Sequence, residues 1–315
     1  MNKKSITIGF LSIISIFIVV FIITDLLVSA GGYKERYEEK KIQSKIQVAV
    51  SFYPLYYFSQ KIGGDKANVF NITPIDANPY SYQPTNQEII KIENSNLIIL
   101  NGLGLETWSD NIQNLAESKN KIFIFASGDL SENQVLENNN DGIDPHIWLS
   151  PMMAKQMVTQ ILNGFLQADS KNSNYYKSNA EKLKLELDKL DSEYRNGLAN
   201  CQNKNIIVSC SAFNYLVKDY GLSQVLMSGL YVNEKLTEQQ LNNIVEFSKE
   251  QNIKYVFIES LPNFEWQKNI EEKTGIKFLL LNSIEKLTKE EIGRGENYFT
   301  EMRKNLVNLK TALQC

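Results

Sequence analysis

The histidine at position 146 is the only one in this chain of 315 residues, and it stands within Asp144-Pro145-His146-Ile147-Trp148-Leu149-Ser150-Pro151. Imidazole is the commonest side-chain ligand for transition metals and a general base near neutral pH, but a lone histidine is more often a core or capping residue. Its setting here is unusual. Pro145 fixes the backbone ahead of it, Trp148 and Leu149 can bury the segment on its C-terminal side, and Ser150-Pro151 reads as an N-cap with proline in the first helical position. The histidine is therefore presented from a stiff loop at a helix entrance. Cys210 is the second reactive side chain, directly after the strand-like run Ile206 to Ser209. It is a candidate soft metal ligand, with a competing reading as a small buried hydrophobe. A nucleophile and base made of Cys210 and His146 fits the residue types. No oxyanion site or third orienting group accompanies them, so no enzyme is expected.

The elements that must position these groups alternate. Strands are predicted at Gln47 to Phe52, Ala67 to Thr73, Leu97 to Leu100 and Lys121 to Phe125, with helices at Leu55 to Ile62, Asn86 to Glu93 and Leu105 to Glu117. After Pro151 come two helices, Met152 to Ala168 and Ser173 to Ala199, the second with Leu183, Leu187, Leu190 and Tyr194 on one face. Strands then resume at Asn205 to Ser209, Ser223 to Met227, Lys254 to Ile258 and Lys277 to Leu281, with helices at Ala212 to Tyr220, Glu238 to Gln251, Phe264 to Thr274 and Lys289 to Leu313. The pattern predicts an α/β protein: two parallel-sheet lobes joined by a long rigid helix. The expected boundaries are a leader or anchor over 1–30, a linker over 31–46, an N-terminal lobe over 47–150, connecting helices over 151–203 and a C-terminal lobe over 204–315. In open α/β sheets ligands bind beyond the carboxyl ends of the strands. A ligand between two such lobes would meet Tyr80, His146, Cys210 and Asn282, and Glu259 if the cleft closed on it. Glu259 has a competing reading as a cap or an interlobe hydrogen-bond acceptor.

Composition narrows the class. The chain has 33 basic and 36 acidic residues, a formal net charge of -3 and no basic stripe, which argues against a nucleic-acid partner. Lys3 and Lys4 precede an apolar run from Ser5 to Thr24, long enough to span a bilayer as a helix, and Val28-Ser29-Ala30 offers small residues for signal cleavage. Cleaved signal and retained anchor both fit, and either leaves the rest of the chain outside the cytoplasm. In that oxidising compartment two of the three cysteines can pair. Cys201 with Cys315 is the favoured pairing, since each lies at the edge of an element, and it leaves Cys210 free.

The wording of these segments resembles the zinc- and manganese-binding subunits of bacterial ABC importers. The resemblance runs from residue 46 onward through Ser51-Phe52-Tyr53-Pro54-Leu55, Ile62-Gly63-Gly64-Asp65, Pro79 to Thr85, Asn101 to Trp108, Asp144 to Pro151, Ser209 to Phe213, Tyr220-Gly221-Leu222 and Leu279 to Asn282 ahead of Leu287-Thr288. It implies an extracytoplasmic, monomeric protein that captures a transition-metal ion, zinc first and manganese or copper second, and delivers it to a membrane permease, with no organic cofactor. It also implies a ligand set: a histidine where this chain has Tyr80, the histidine at His146, a histidine or glutamate where it has Cys210, and an aspartate where it has Asn282. Tyr80 and Asn282 are neutral oxygen donors, which suit zinc or manganese poorly. The competing reading is a relative that keeps the scaffold but has lost tight metal binding and serves in surface interaction or adhesion, or binds another small ligand.

Overall fold

The computed structural model describes Thr24 and residues 45–75, 77–128, 130–131, 133–138, 142–226, 238–251, 253–259, 268 and 271–315. Apart from Thr24, the apolar run from Ser5, and with it the linker up to Ser44, lies outside the described residues. So do Met227 and most of the helix expected from Phe264, of which residues 271–274 are seen as helical. No helix among the described residues is long and apolar enough to cross a membrane.

Residues Ile46–Cys315 form one compact unit built on two four-stranded sheets. The first contains β1 (Ile46–Val50), β2 (Ala67–Asn71), β3 (Leu97–Leu100) and β4 (Ile122–Phe125), in the order β2-β1-β3-β4 and parallel throughout. A two-residue ribbon, β5 (Glu137–Asn138) against β6 (Gly142–Ile143), lies in the polar loop after β4. The second sheet contains β7 (Asn205–Val208), β8 (Ser223–Leu226), β9 (Tyr255–Ile258) and β10 (Lys277–Leu280), ordered β10-β9-β7-β8 and again parallel. Sequential parallel strands need helical crossovers, and these cover both faces, so the central strands are apolar without alternation. In β1, Val48 and Val50 face one apolar cluster and Ala49 the other.

The α-helices bounded within the described residues are α1 (Tyr53–Gly63), α2 (Asn86–Glu93), α3 (Ser109–Ser118), α4 (Pro151–Ala168), α5 (Ser173–Leu198), α6 (Asn214–Asp219), α7 (Glu238–Glu250), α8 (Lys289–Gly293) and α9 (Tyr298–Leu313). Helix α5 has 26 residues, about 39 Å at 1.5 Å per residue. It packs on α4 and α1 beside the first sheet and on α9 beside the second. Its expected stripe of Leu183, Leu187, Leu190 and Tyr194 is buried in a single cluster running from Val48 and Leu97 to Phe213 and Leu309. The two lobes thus share one continuous core.

Two elements depart from the sequence reading. The third helix begins at Ser109 rather than Leu105, because Gly102, Leu103 and Gly104 all have positive φ (83°, 57° and 80°) and cannot start a right-handed helix. Glu106 instead accepts the amides of Asn101 and Gly102 at 2.7 and 3.0 Å, closing the turn after β3. The helix expected over Lys289 to Leu313 breaks in two at Gly295 (φ 86°), and Asn297 recaps α9 through a capping box with Thr300. Cys201 and Cys315 are disulfide-bonded, 114 positions apart, and Cys210 is free.

Candidate metal centre

Strand order reverses between β1 and β3 in one sheet and between β7 and β9 in the other, and crevices at such reversals, beyond the carboxyl ends of strands, are where α/β ligands sit. Cys210 comes two positions after the end of β7, and Glu259 directly after β9. From the first lobe, Tyr80 and His146 come from the loops after β2 and β4. Ser150 caps α4 by accepting the Met153 amide, and Pro151 occupies its first turn, so the histidine loop is fixed to a helix as its sequence predicted.

His146 is only 6% exposed and is held from behind by a carboxylate with no exposure at all. Asp144 Oδ1 accepts both the His146 backbone amide at 2.9 Å and Nδ1 at 2.6 Å. Asp144 is secured in turn: Asn214 Nδ2 donates to its Oδ2 at 2.8 Å, and the Tyr215 hydroxyl donates to its carbonyl at 2.9 Å. A carboxylate on one ring nitrogen fixes the tautomer and aims the other nitrogen forward as the stronger ligand. Forward of Nε2 stand the Tyr80 hydroxyl, in hydrogen-bond contact, and the Glu285 carboxylate, with Oε1 3.8 Å from Nε2 and 3.4 Å from the Tyr80 hydroxyl that donates to it.

Glu285 was not anticipated from sequence; its carboxylate, and not the Asn282 amide, is the group standing before His146. Asn282 turns away from the cleft. Its Nδ2 donates to Glu301 at 3.2 Å, its backbone amide donates to Asn305 at 2.8 Å, and its Oδ1 accepts the Ile284 amide at 2.7 Å. Ile284 is β-branched, fully buried and left-handed (φ 57°), a conformation costing about 1–2 kcal/mol that persists only when packing enforces it. This bend after β10 sends residue 285 toward His146. The sequence signal was a carboxylate three positions beyond Asn282 in a post-strand loop; nothing in the spacing revealed the bend.

Cys210 and Glu259 complete the opposite wall. The thiol hydrogen-bonds to Glu259, which also accepts from Ser283. Burial and then the Glu259 charge push the Cys210 thiol well up. Glu259 reaches solvent on one side while protein crowds the other; that desolvation, together with the charge of Glu285, raises its carboxyl against the hydrogen bonds from Ser283 and Cys210. The Tyr80 phenol is raised by burial and then by Glu285. For His146, burial pulls downward, but the Asp144 hydrogen bond and then Glu285 outweigh it, raising the pKa to about 9. His146, Tyr80 and Cys210 therefore keep their protons near neutral pH. Among the described residues no three His, Cys, Asp or Glu side chains stand close enough together to hold one ion as they are, and an ion held here would displace protons.

These shifts make stability depend on pH. A histidine whose pKa rises from 6.5 to about 9 on folding adds stability that is complete below 6.5 and lost as pH climbs through about 9. The raised carboxyl acts in the same direction, whereas the raised thiol does so only above its ordinary value near 9. Metal-free protein should lose melting temperature steadily from pH 6 to pH 9, and zinc-loaded protein should lose less, because the cation replaces the protons. Parallel melts of the two forms across that range check this; equal slopes would refute it.

The family model for the periplasmic component A of the zinc-uptake complex matches residues 48–312. The chain belongs to this family, ZnuA. It is 29% identical to the high-affinity zinc uptake system protein ZnuA of Bacillus subtilis over 299 residues, 91% of this chain and 94% of that protein. It is also 29% identical to the zinc-binding lipoprotein AdcA of Streptococcus pneumoniae, covering 86% of this chain but 56% of AdcA, so it spans about half of that relative. Among solved structures it is similar to the metal-dependent lipoprotein YcdH of Bacillus subtilis, with a TM-score of 0.81, 30% identity, and 86% of this chain matched to 100% of that one. Zn(II)-bound AdcA of Streptococcus pneumoniae gives the same TM-score and identity, over 86% of this chain and 58% of that one. The laminin-binding protein of Streptococcus agalactiae, described as having adhesin and metal-transporting activity, shares 27% identity at a TM-score of 0.73, over 86% of this chain and 100% of that one. The ZnuA-type α/β fold, two parallel-sheet lobes with a helical connection, is thus shown twice over. ZnuA proteins are solute-binding components.

Proposed function

We propose that this ZnuA-family chain captures a zinc ion between its lobes, outside the cytoplasm, and hands it to an ABC permease, with His146 and Glu285 as the ligands that define the site. The observation that carries this reading is a nearly buried imidazole, braced by the fully buried Asp144 and aimed across the cleft at a carboxylate of the other lobe. Tyr80 and Cys210 are the adjacent donors, and Asn282 is left out because its side chain is spent on Glu301 and Ile284. Imidazole, thiolate and carboxylate all suit zinc, which takes four ligands in closed sites. Residues 47–150 and 204–315 form the two walls and 151–203 the brace between them. The chain works as a monomer, carries out no reaction of its own, and is brought outside by its N-terminal apolar run, which is either removed or kept as an anchor.

The test is a competitive zinc titration of the chain and its His146→Ala and Glu285→Gln variants, with melting temperature as a second readout. Structural zinc sites gain about 10–16 kcal/mol, so one ligand of four is worth about 3 kcal/mol and its loss should weaken binding by about a hundredfold or more. Zinc at 100 times its Kd should add about 2.7 kcal/mol of stability. Absence of any binding tighter than millimolar, together with an unmoved melting temperature, would favour the reading in which the scaffold serves adhesion without an ion.

A further inference from the structure

We infer that Cys210 makes this cleft selective for ions that accept a thiolate, zinc and cadmium above all, and closes it to manganese. The inference rests on the ion-capture reading and asks which ion the site prefers. Three observations carry it. Cys210 lies just beyond β7, beside the strand-order reversal of the second sheet, where a ligand between the lobes must meet it. It borders the apolar core on one side, while its thiol hydrogen-bonds to Glu259 and lies within electrostatic reach of Glu285 and Tyr80. It is also the only free thiol, because the other two of the three cysteines are joined to each other.

The donors that can converge are one imidazole, one sulfur and the oxygens of Glu285, Glu259 and Tyr80. A single sulfur and nitrogen with two oxygens satisfies a four-coordinate zinc-like ion. Manganese prefers six oxygen-rich positions and gains little from sulfur. Binding releases two protons to solvent, the thiol's and the one His146 carries on Nε2, in exchange for the metal–sulfur and metal–nitrogen bonds. The dication replaces two protons, so loading leaves the net charge of the site unchanged.

Cobalt(II) loading of the reduced chain reads the sulfur directly. The expected spectrum has an intense near-ultraviolet thiolate-to-cobalt band alongside the visible bands of a four-coordinate ion. Cys210→Ser should lose the first and keep the second. Zinc-over-manganese preference, measured by competition, should fall at least tenfold in Cys210→Ser and further in Cys210→Asp, which offers a hard oxygen. If these variants fold poorly, alkylation of the unsubstituted chain gives the same answer: zinc or cadmium should block modification of Cys210 and manganese should not. Zinc bound in a His146-dependent manner, with no charge-transfer band and no protection of the thiol, would overturn this inference and leave the capture function standing. Failure of the unsubstituted chain to bind any of these ions would overturn both.

Discussion

Replacing Trp148 with alanine should destabilise the protein by about 4 kcal/mol and loosen zinc binding in the same step. Its side chain has no exposed surface, and its ring packs edge-on against Phe52, with centroids 4.7 Å apart, and against His146 at 5.1 Å. It is also a stitch between the lobes. Nε1 donates to the Ser283 carbonyl at 2.7 Å, and the Trp148 carbonyl accepts from the Tyr298 hydroxyl at 2.6 Å. Ser283 lies two residues before Glu285, so the indole ties the histidine loop to the loop carrying the opposing carboxylate. Truncating a buried tryptophan costs about 3–5 kcal/mol through lost transfer energy and the cavity left behind, and an orphaned carbonyl adds about 1 kcal/mol. Trp148→Phe separates the two roles. It keeps a ring in the core but removes the donor, so its stability should fall less than that of Trp148→Ala while its zinc affinity still drops. Urea unfolding with an unchanged m-value, paired with zinc titration, reads both quantities. A Trp148→Ala variant within about 1 kcal/mol of the parent would disprove the stitch.

The second large effect is reduction of the Cys201–Cys315 disulfide. The bond closes a loop with a sequence separation of 114 that contains the entire second sheet. Constraining a loop of that size in the unfolded chain is worth about 4–5 kcal/mol on the chain-entropy account. The bond also fastens the end of α9 beside the turn after α5, where the Asn203 amide donates to the Leu313 carbonyl at 3.1 Å. Reduced protein, or the double variant Cys201→Ser/Cys315→Ser, should therefore unfold at distinctly lower urea. The folded state should be unchanged, since the bond lies apart from the metal cleft, and zinc affinity under native conditions should stay the same. A midpoint indifferent to reductant would show that the unfolded chain gains no freedom from opening the loop. A change in zinc affinity would show that the two regions are coupled through α9.

Much of the architecture was legible in local pattern. Short apolar runs such as Leu97–Leu100 and Ile206–Val208 read as strands buried on both faces, and the heptad-like stripe on α5 reads as a helix pressed to a core. Where boundaries shifted, backbone conformation was responsible: the left-handed run at Gly102–Gly104 delays α3, and Gly295 divides the last helix. These are turns whose φ values depend on what surrounds them as well as on the residues themselves.

The site divides along the same line. Local sequence is enough to dictate that His146 is offered from a rigid loop, because Pro145, the Ser150 cap and Pro151 act within a few residues of one another. It is enough, too, to put Cys210 at a strand end, because position along a parallel strand decides which end of the sheet a residue occupies. The groups that face them were chosen by long-range packing. That Asp144 braces the imidazole depends on Asn214 and Tyr215, about 70 positions away. That Glu285 rather than Asn282 meets His146 depends on a buried isoleucine held left-handed by its core and on Glu301 and Asn305 of α9 drawing the asparagine aside. Short-range sterics write the presentation of each side chain into its neighbours, whereas the pairing of side chains across a cleft is fixed by contacts distant in sequence.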